Sequence, residues 1–320
     1  MSSLAFASVN VPLSAVSIIV NLYFIFCMAF PEQGSERMKQ PLKVLLGSLF
    51  GFNTALHACS LLWALKDFLF FTVTPFAMVF TYIVLDLVLF SVRASVTSSL
   101  WLNVFYYCQI VPAQRPVFIW VKKNIKSFIY FSLIVDKIYI LLGLILNVTD
   151  TAVYFSTFFK YIEIVNYTNV NPLEMFATSI ILSNIVIINF WIRFGLNLVN
   201  FCVMSAASCA TVLYLWKHIK SMKDGSSTIS SPHLKKQMRV TITGIAQAVL
   251  YFLCAIWTSL DALFRIKLPI VFDMDRHILC TVICFYSFGT TINVCVGQTM
   301  LRQRVVHLQK KILLFLNLKK

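Results

Sequence analysis

Seven runs of apolar residues, each about as long as a bilayer is thick, constrain this chain more than any other feature. A membrane-spanning helix needs about 20 mostly apolar residues, because the hydrocarbon core is about 30 Å thick and an α-helix rises about 1.5 Å per residue. Such runs cover roughly 9–30, 42–65, 76–110, 127–146, 180–216, 240–260 and 277–299. Composition agrees. Only 12% of the 320 residues are charged, about half the share usual in soluble domains, and the mean hydropathy is +0.82. A soluble fold is excluded. The third and fifth runs exceed what a bilayer requires, so those helices are expected to tilt or to project beyond it. The opening residues carry no Lys or Arg and no evident cleavage site. The first run is therefore read as its own insertion signal, without a cleaved leader.

The same chain is strongly basic, with 27 Lys and Arg against 12 Asp and Glu and a formal net charge of +15. That balance points either to an anionic polymer as partner or to cations held on the cytoplasmic side of a membrane. Position decides between them. Nineteen of the cations fall in segments 31–43, 111–126 and 217–239 and in the tail, whereas Lys66, Lys160, Arg265, Lys267 and Arg276 alone occupy the alternate segments. The positive-inside rule then places the N-terminus outside and the tail in the cytosol. Nucleic acid is not implied. The two N-glycosylation sequons, Asn147-Val-Thr149 and Asn166-Tyr-Thr168, both follow the fourth run, in a segment that this orientation makes extracellular. Asn166 is the better acceptor, since Asn147 stands close to the end of a span.

The nine cysteines all fall inside the runs, without CxxC or Cys/His ligand spacing, and read as small buried thiols. No metal or cofactor is expected. The histidines (His57, His218, His233, His277 and His307) are scattered along the chain, which argues against an enzyme. The expected organisation is one seven-helix domain, residues 1–300, followed by a cytosolic tail, 301–320. In that tail Leu301, Val305, Leu308, Ile312 and Phe315 keep helical spacing among Arg302, Arg304, Lys310 and Lys311, the pattern of an amphipathic helix lying along the inner leaflet.

Seven spans with an outside N-terminus suggest a G-protein-coupled receptor, but the commonest class has left no trace. Span three ends in Asn103-Val-Phe-Tyr-Tyr107 rather than Asp-Arg-Tyr, Cys254-Ala-Ile-Trp257 in span six has no proline after it, and span seven lacks Asn-Pro-x-x-Tyr. Three other blocks stand out. They are Leu102-Asn-Val-Phe-Tyr106 with Ile110, Pro116-Val-Phe118-Ile-Trp120-Val-Lys122-Lys-Asn-Ile125-Lys126, and Leu215-Trp216-Lys217-His218-Ile-Lys220-Ser-Met222. The chain resembles the type 2 (bitter) taste receptor family, whose signatures are Leu-Ser-Val-Phe-Tyr...Ile, Pro-x-Phe-x-Trp-x-Lys-x-x-Ile and Leu-Trp-x-His-x-x-x-Met. Asn21, and Gly297 with Leu301-Arg302, also fit. Departures concentrate in the bundle interior. Asn53 stands where the family usually has Arg, Val88 and Val92 stand where many members carry Trp and Asn, and Thr290-Thr291 replaces a His-Ser pair. A divergent, non-mammalian member would fit.

The resemblance implies an all-α seven-transmembrane bundle at the plasma membrane, a small bitter tastant entering from outside, and a gustducin-like heterotrimeric G protein on the cytoplasmic face. A type 1 vomeronasal-like receptor would share the topology. A seven-span ligand-gated ion channel would place its N-terminus in the cytosol, against the charge census.

Polar side chains that face acyl chains are costly, so polar stripes should mark the bundle interior. Span six shows Gln247, Tyr251, Cys254, Thr258 and Asp261 on one helical face, and span five shows Asn189, Arg193, Asn197 and Asn200. Span seven adds Cys280, Cys284, Ser287 and Thr291; span three adds Asp86, Arg93 and Thr97; span two adds Asn53 and His57. Hydrogen bonding between helices, worth about 0.6 kcal/mol per pair, accounts for Asn53, Cys280, Cys284 and Thr291 as well as ligand contact does. Toward the extracellular half the candidate ligand residues are Asp86, Val88, Leu89, Val92, Arg93, Asn189, Arg193, Asn197, Gln247, Tyr251, Cys254, Thr258 and Ser287. Arg93 needs an anion, either Asp86 two turns above it or an acidic or carbonyl-bearing ligand.

On the cytoplasmic face the resemblance implies G-protein contact through Tyr106, Gln109, Trp120, Lys122, Lys126, His218, Lys220, Arg239 and Arg302. Charge alone accounts only for retention inside and for contact with anionic lipid, about 1 kcal/mol per cation. Asp136 and Lys137, adjacent in the middle of span four, point about 100° apart and cannot simply pair with each other. Either that span is shifted by several residues or each finds a partner on a neighbouring helix.

Overall fold

The computed structural model describes residues 1–30, 40–69, 75–112, 116–138, 140–145, 172–224, 232–267, 273 and 275–317. Regular structure among them is helical throughout: α1 Ser3–Ala29, α2 Leu42–Leu69, α3 Pro75–Ile110, α4 Pro116–Lys123, α5 Ile125–Ile145, α6 Pro172–Asp224, α7 Pro232–Lys267, α8 His277–Gly297 and α9 Thr299–Asn317. Among the described residues seven helices are long and apolar enough to cross a membrane: α1, α2, α3, α5, α6, α7 and α8. They coincide with the seven runs. Both sequons, Asn147 and Asn166, and the side chain of Asn189 lie outside the described residues.

The differences from the sequence expectation are at helix ends, where hydropathy is silent and capping decides. The first helix begins at Ser3 because Ser2 caps it, its hydroxyl accepting the N–H of Ala5 at 3.3 Å. Segment 111–126 is not all loop. Pro116, with φ pre-set for a first helical turn, opens the short α4, and Asn124 bonds back to the carbonyl of Trp120 where α4 gives way to α5. At the start of α8, Asp273 Oδ2 accepts the N–H groups of Ile278 (2.9 Å) and Leu279 (3.1 Å), a carboxylate on a helix N-terminus.

Helix α3 is central, packed against α2, α6, α7 and α8, while α1 closes the ring against α2 and α8. The least enclosed spans are α5 and α6, and their outward faces are large and apolar, as at Phe131, Ile138, Trp191 and Leu198. In lipid such exposure is not penalised, since acyl chains are as apolar as leucine. Cohesion comes instead from van der Waals packing and from hydrogen bonds between helices. Apolar side chains gather in three clusters along the bundle. One holds Phe6, Trp63 and Leu85, a middle one holds Val88, Val92, Met204, Tyr251 and Ile283, and a third holds Phe24, Leu49, Phe105 and Leu301. All nine cysteines are unpaired. The expectation that all are buried fails for Cys202 and Cys209, which are exposed on the outer face of α6, where lipid tolerates a thiol as readily as a methyl group.

After α8 the extended residue Gln298 turns the chain into α9. Leu301 is fully buried and Val305 packs partly on the bundle, but from Val306 onward the described side chains of α9 are exposed.

Candidate functional site

The middle cluster brings five of the expected ligand residues together. Val88 and Val92 of α3 and Tyr251 and Cys254 of α7 are buried in it, and Leu89 packs against it. Asn197 joins from α6, because the Tyr251 hydroxyl donates toward its carbonyl (3.1 Å) and its side-chain oxygen (3.2 Å). Asp86, Arg93, Arg193 and Thr258 are half-buried, and Asp86, Arg93 and Arg193 each take part in an interaction with another residue. Arg93 is turned about 100° around α3 from Val92, toward the side on which Thr97 meets α5.

Gln247 is drawn elsewhere, and among the described residues the buried Ser287 hydroxyl has no hydrogen-bond partner. Gln247 Nε2 donates to Ser99 Oγ at 3.0 Å, and its oxygen accepts from Asn293, which also donates to the carbonyl of Thr243 at 2.7 Å. That line ties α3, α7 and α8 together below Tyr251. The Ser287 carbonyl accepts from Asn53 Nδ2 at 3.2 Å.

Asn53 is the hub of a second network. Its amide nitrogen also reaches Thr290 Oγ1 (3.1 Å) and Thr291 Oγ1 (3.0 Å), and its oxygen accepts from Ser95 Oγ at 2.6 Å. Thr291 continues to Asn21 Oδ1 at 2.9 Å. Four helices, α1, α2, α3 and α8, meet in these bonds. Nearer the N-terminus, His57 Nδ1 lies 3.1 Å from Ser14 Oγ, and Cys284 Sγ lies 3.2 Å from Ser60 Oγ. Asn53, Thr291 and Cys284 therefore serve the bundle itself, as hydrogen bonds between helices.

Sequence reasoning passed over the partners of these residues. On α1 the buried stripe is Asn10, Ser14, Ser17 and Asn21, of which the sequence signatures mark only Asn21. On α3 the serines at 91, 95, 98 and 99 are all buried. Helical spacing was the available signal in both cases, but small hydroxyl residues barely disturb a hydropathy reading.

Asp136 and Lys137 find partners on neighbouring helices. Trp101 Nε1 donates to Asp136 Oδ2 at 3.0 Å. Lys137 Nζ donates to the carbonyl of Ala94 at 2.7 Å and to Thr97 Oγ1 at 3.1 Å, and lies 4.4 Å from the centre of the Phe52 ring. An ammonium with three donors thus meets two oxygens and one π-face. These contacts clamp the peripheral α5 onto α3 and α2.

At the cytoplasmic end Tyr106 is half-buried and its hydroxyl accepts from Gln298 Nε2, joining α3 to the α8–α9 corner. Gln109, Lys122, Lys126, His218 and Lys220 are exposed, and Trp120 is 59% exposed. Lys220 stands 5.8 Å from the Trp216 ring. Arg239 and Arg302 are half-buried. Of the expected G-protein residues, Lys122, Lys126, His218 and Lys220 are thus accessible cationic or ionisable side chains and Trp120 an accessible aromatic.

A profile of the taste receptor protein (TAS2R) family matches residues 2–314, nearly the whole chain and all seven apolar helices. The chain belongs to the TAS2R family. It is similar to taste receptor type 2 member 10 of Pan troglodytes, of Homo sapiens and of Gorilla gorilla gorilla, at 24% identity over 215 residues in each case. That stretch is 64% of this chain and spans 63% of the length of those relatives. The match and the seven apolar helices mark a multi-pass membrane protein. Among the described residues no three His, Cys, Asp or Glu side chains group as metal ligands would.

Proposed function

We propose that this TAS2R chain is a plasma-membrane G-protein-coupled receptor for bitter small molecules, acting through a gustducin-like heterotrimeric G protein. The observation that carries the reading is the family match across residues 2–314. The middle cluster supports a ligand cavity around Val88, Leu89, Val92, Tyr251 and Cys254, with Asn197 and Thr258 as hydrogen-bonding partners. Largely apolar walls with a few convergent polar groups suit a small molecule. Arg93 and Arg193 favour agonists that carry a carboxylate or another strong acceptor. On the cytosolic side, the rim of Trp120, Lys122, Lys126, His218, Lys220, Arg239 and Arg302, with Tyr106 and Gln109 inside it, is the docking surface for the G protein. Helix α9 then lies against the inner leaflet, its cations near lipid phosphates.

The test is calcium imaging of cells that express the chain with a promiscuous G protein, across a panel of bitter compounds. An agonist is expected, and its EC50 should rise about ten-fold in Tyr251→Phe, which loses the hydroxyl that orders Asn197. Ten-fold corresponds to about 1.4 kcal/mol, within the range of one lost hydrogen bond. A surface-expressed receptor silent across the panel, or a Tyr251→Phe variant of unchanged potency, would count against the cavity.

A further inference from the structure

Two adjacent residues of α7, Thr243 and Gly244, make close approaches to three other helices. Thr243 is a knob. It fills the space left by Gly297 of α8, where an added Cβ would lie 2.9 Å from both Thr243 Cγ2 and Oγ1. Gly244 is a hole. A Cβ added there would lie 3.0 Å from Asn103 Oδ1 of α3 and 3.4 Å from Ser208 Oγ of α6. Helices α3, α6 and α7 therefore close on one another at Gly244, and two polar side chains are shut in with it.

Asn103 is only 7% exposed and Ser208 only 8%. Among the described residues Asn103 Nδ2 and Ser208 Oγ nevertheless make no hydrogen bond. A buried donor without a partner has given up water for nothing, which weighs against the closed arrangement by on the order of ten-fold in an equilibrium constant. Ser208 Oγ lies at the Gly244 contact itself and Asn103 Nδ2 belongs to the amide whose oxygen does, so both favour an arrangement in which α7 stands off and water reaches them. The closed arrangement is held from the other side, where Asn293 Nδ2 bonds to the Thr243 carbonyl at 2.7 Å and Gln298 bonds to Tyr106. The signature quoted above has the shorter serine where this chain has Asn103.

We propose that Asn103, Ser208 and Gly244 form a sprung contact that biases the cytoplasmic end of the bundle toward opening and so raises the resting signalling level. Only the signalling consequence rests on the receptor reading above. The stability consequence does not.

Asn103→Leu and Ser208→Ala each remove an unpaired group while keeping most of its volume. Each variant is purified in lipid nanodiscs and its Tm is read with a thiol-reactive dye, using the nine free cysteines that both retain. In parallel, agonist-free activation of a promiscuous G protein is measured per surface receptor. The expected result is a Tm above wild type in both variants and basal activation lower by about ten-fold. A Tm that falls in both variants, or basal activation that stays at the wild-type level, overturns the proposal. A wild-type chain that activates no G protein sinks the receptor reading instead, and the Tm comparison then decides the contact on its own.

Discussion

An asparagine in a lipid-embedded bundle has two ends to satisfy, and Asn53 uses both. Its oxygen accepts from Ser95, and its nitrogen reaches the Ser287 carbonyl and the hydroxyls of Thr290 and Thr291. At about 0.6 kcal/mol for each interhelical bond, four such contacts contribute about 2 kcal/mol. Asn53→Leu keeps the volume and removes all four. Its Tm is expected to fall by about 5 °C, with the loss limited because Thr290 and Thr291 also bond to the Ser287 carbonyl of their own helix. An unchanged Tm in a purified, lipid-reconstituted variant would show that the hub contributes nothing. The charged residues of α5 follow the same logic at higher stakes. Asp136 and Lys137 are tolerable in the membrane because Trp101, Ala94, Thr97 and Phe52 supply each with partners.

Helices meet closely only where a residue is missing a side chain, and α7 and α8 meet at Gly297. The Thr243 side chain occupies the place where a Cβ would stand. Gly297→Ala is expected to lower Tm through overpacking that costs about 1–3 kcal/mol. Adding Thr243→Ala, which clears both clashing atoms, should restore most of it. A double-mutant cycle checks this, and simple additivity of the two changes would refute the knob-and-hole contact. The spans themselves were legible, because hydrocarbon requires about 20 apolar residues of any helix that crosses it. The short α4 was not, since Pro116 and the Asn124 bond to Trp120 set it, and neither alters hydropathy.

Over the whole molecule, the positions of the cations define sidedness, with nineteen of 27 in the segments assigned to the cytosol. The orientation carries a prediction for segments outside the described residues. Removal of N-glycans from the expressed chain should increase its gel mobility, Asn166→Gln should abolish most of that shift, and Asn147→Gln should alter it little. A chain whose mobility does not respond to glycosidase would remove the glycan support for an extracellular segment after the fourth span.

The sequence by itself determined the solvent, the number and place of the spans, their orientation and the family, because the bilayer imposes length and polarity on each segment separately. Only the tertiary structure decided what each interior polar group does. Gln247 and Tyr251 share one stripe of α7, yet Gln247 is engaged by Ser99 and Asn293 while Tyr251 reaches Asn197 in the middle cluster. Asp136 and Lys137 had no readable partners until α3 and α2 were set beside them. Helical spacing shows which side chains share a face. The rotation and register between helices select the partner, and those depend on packing contributed by every helix at once.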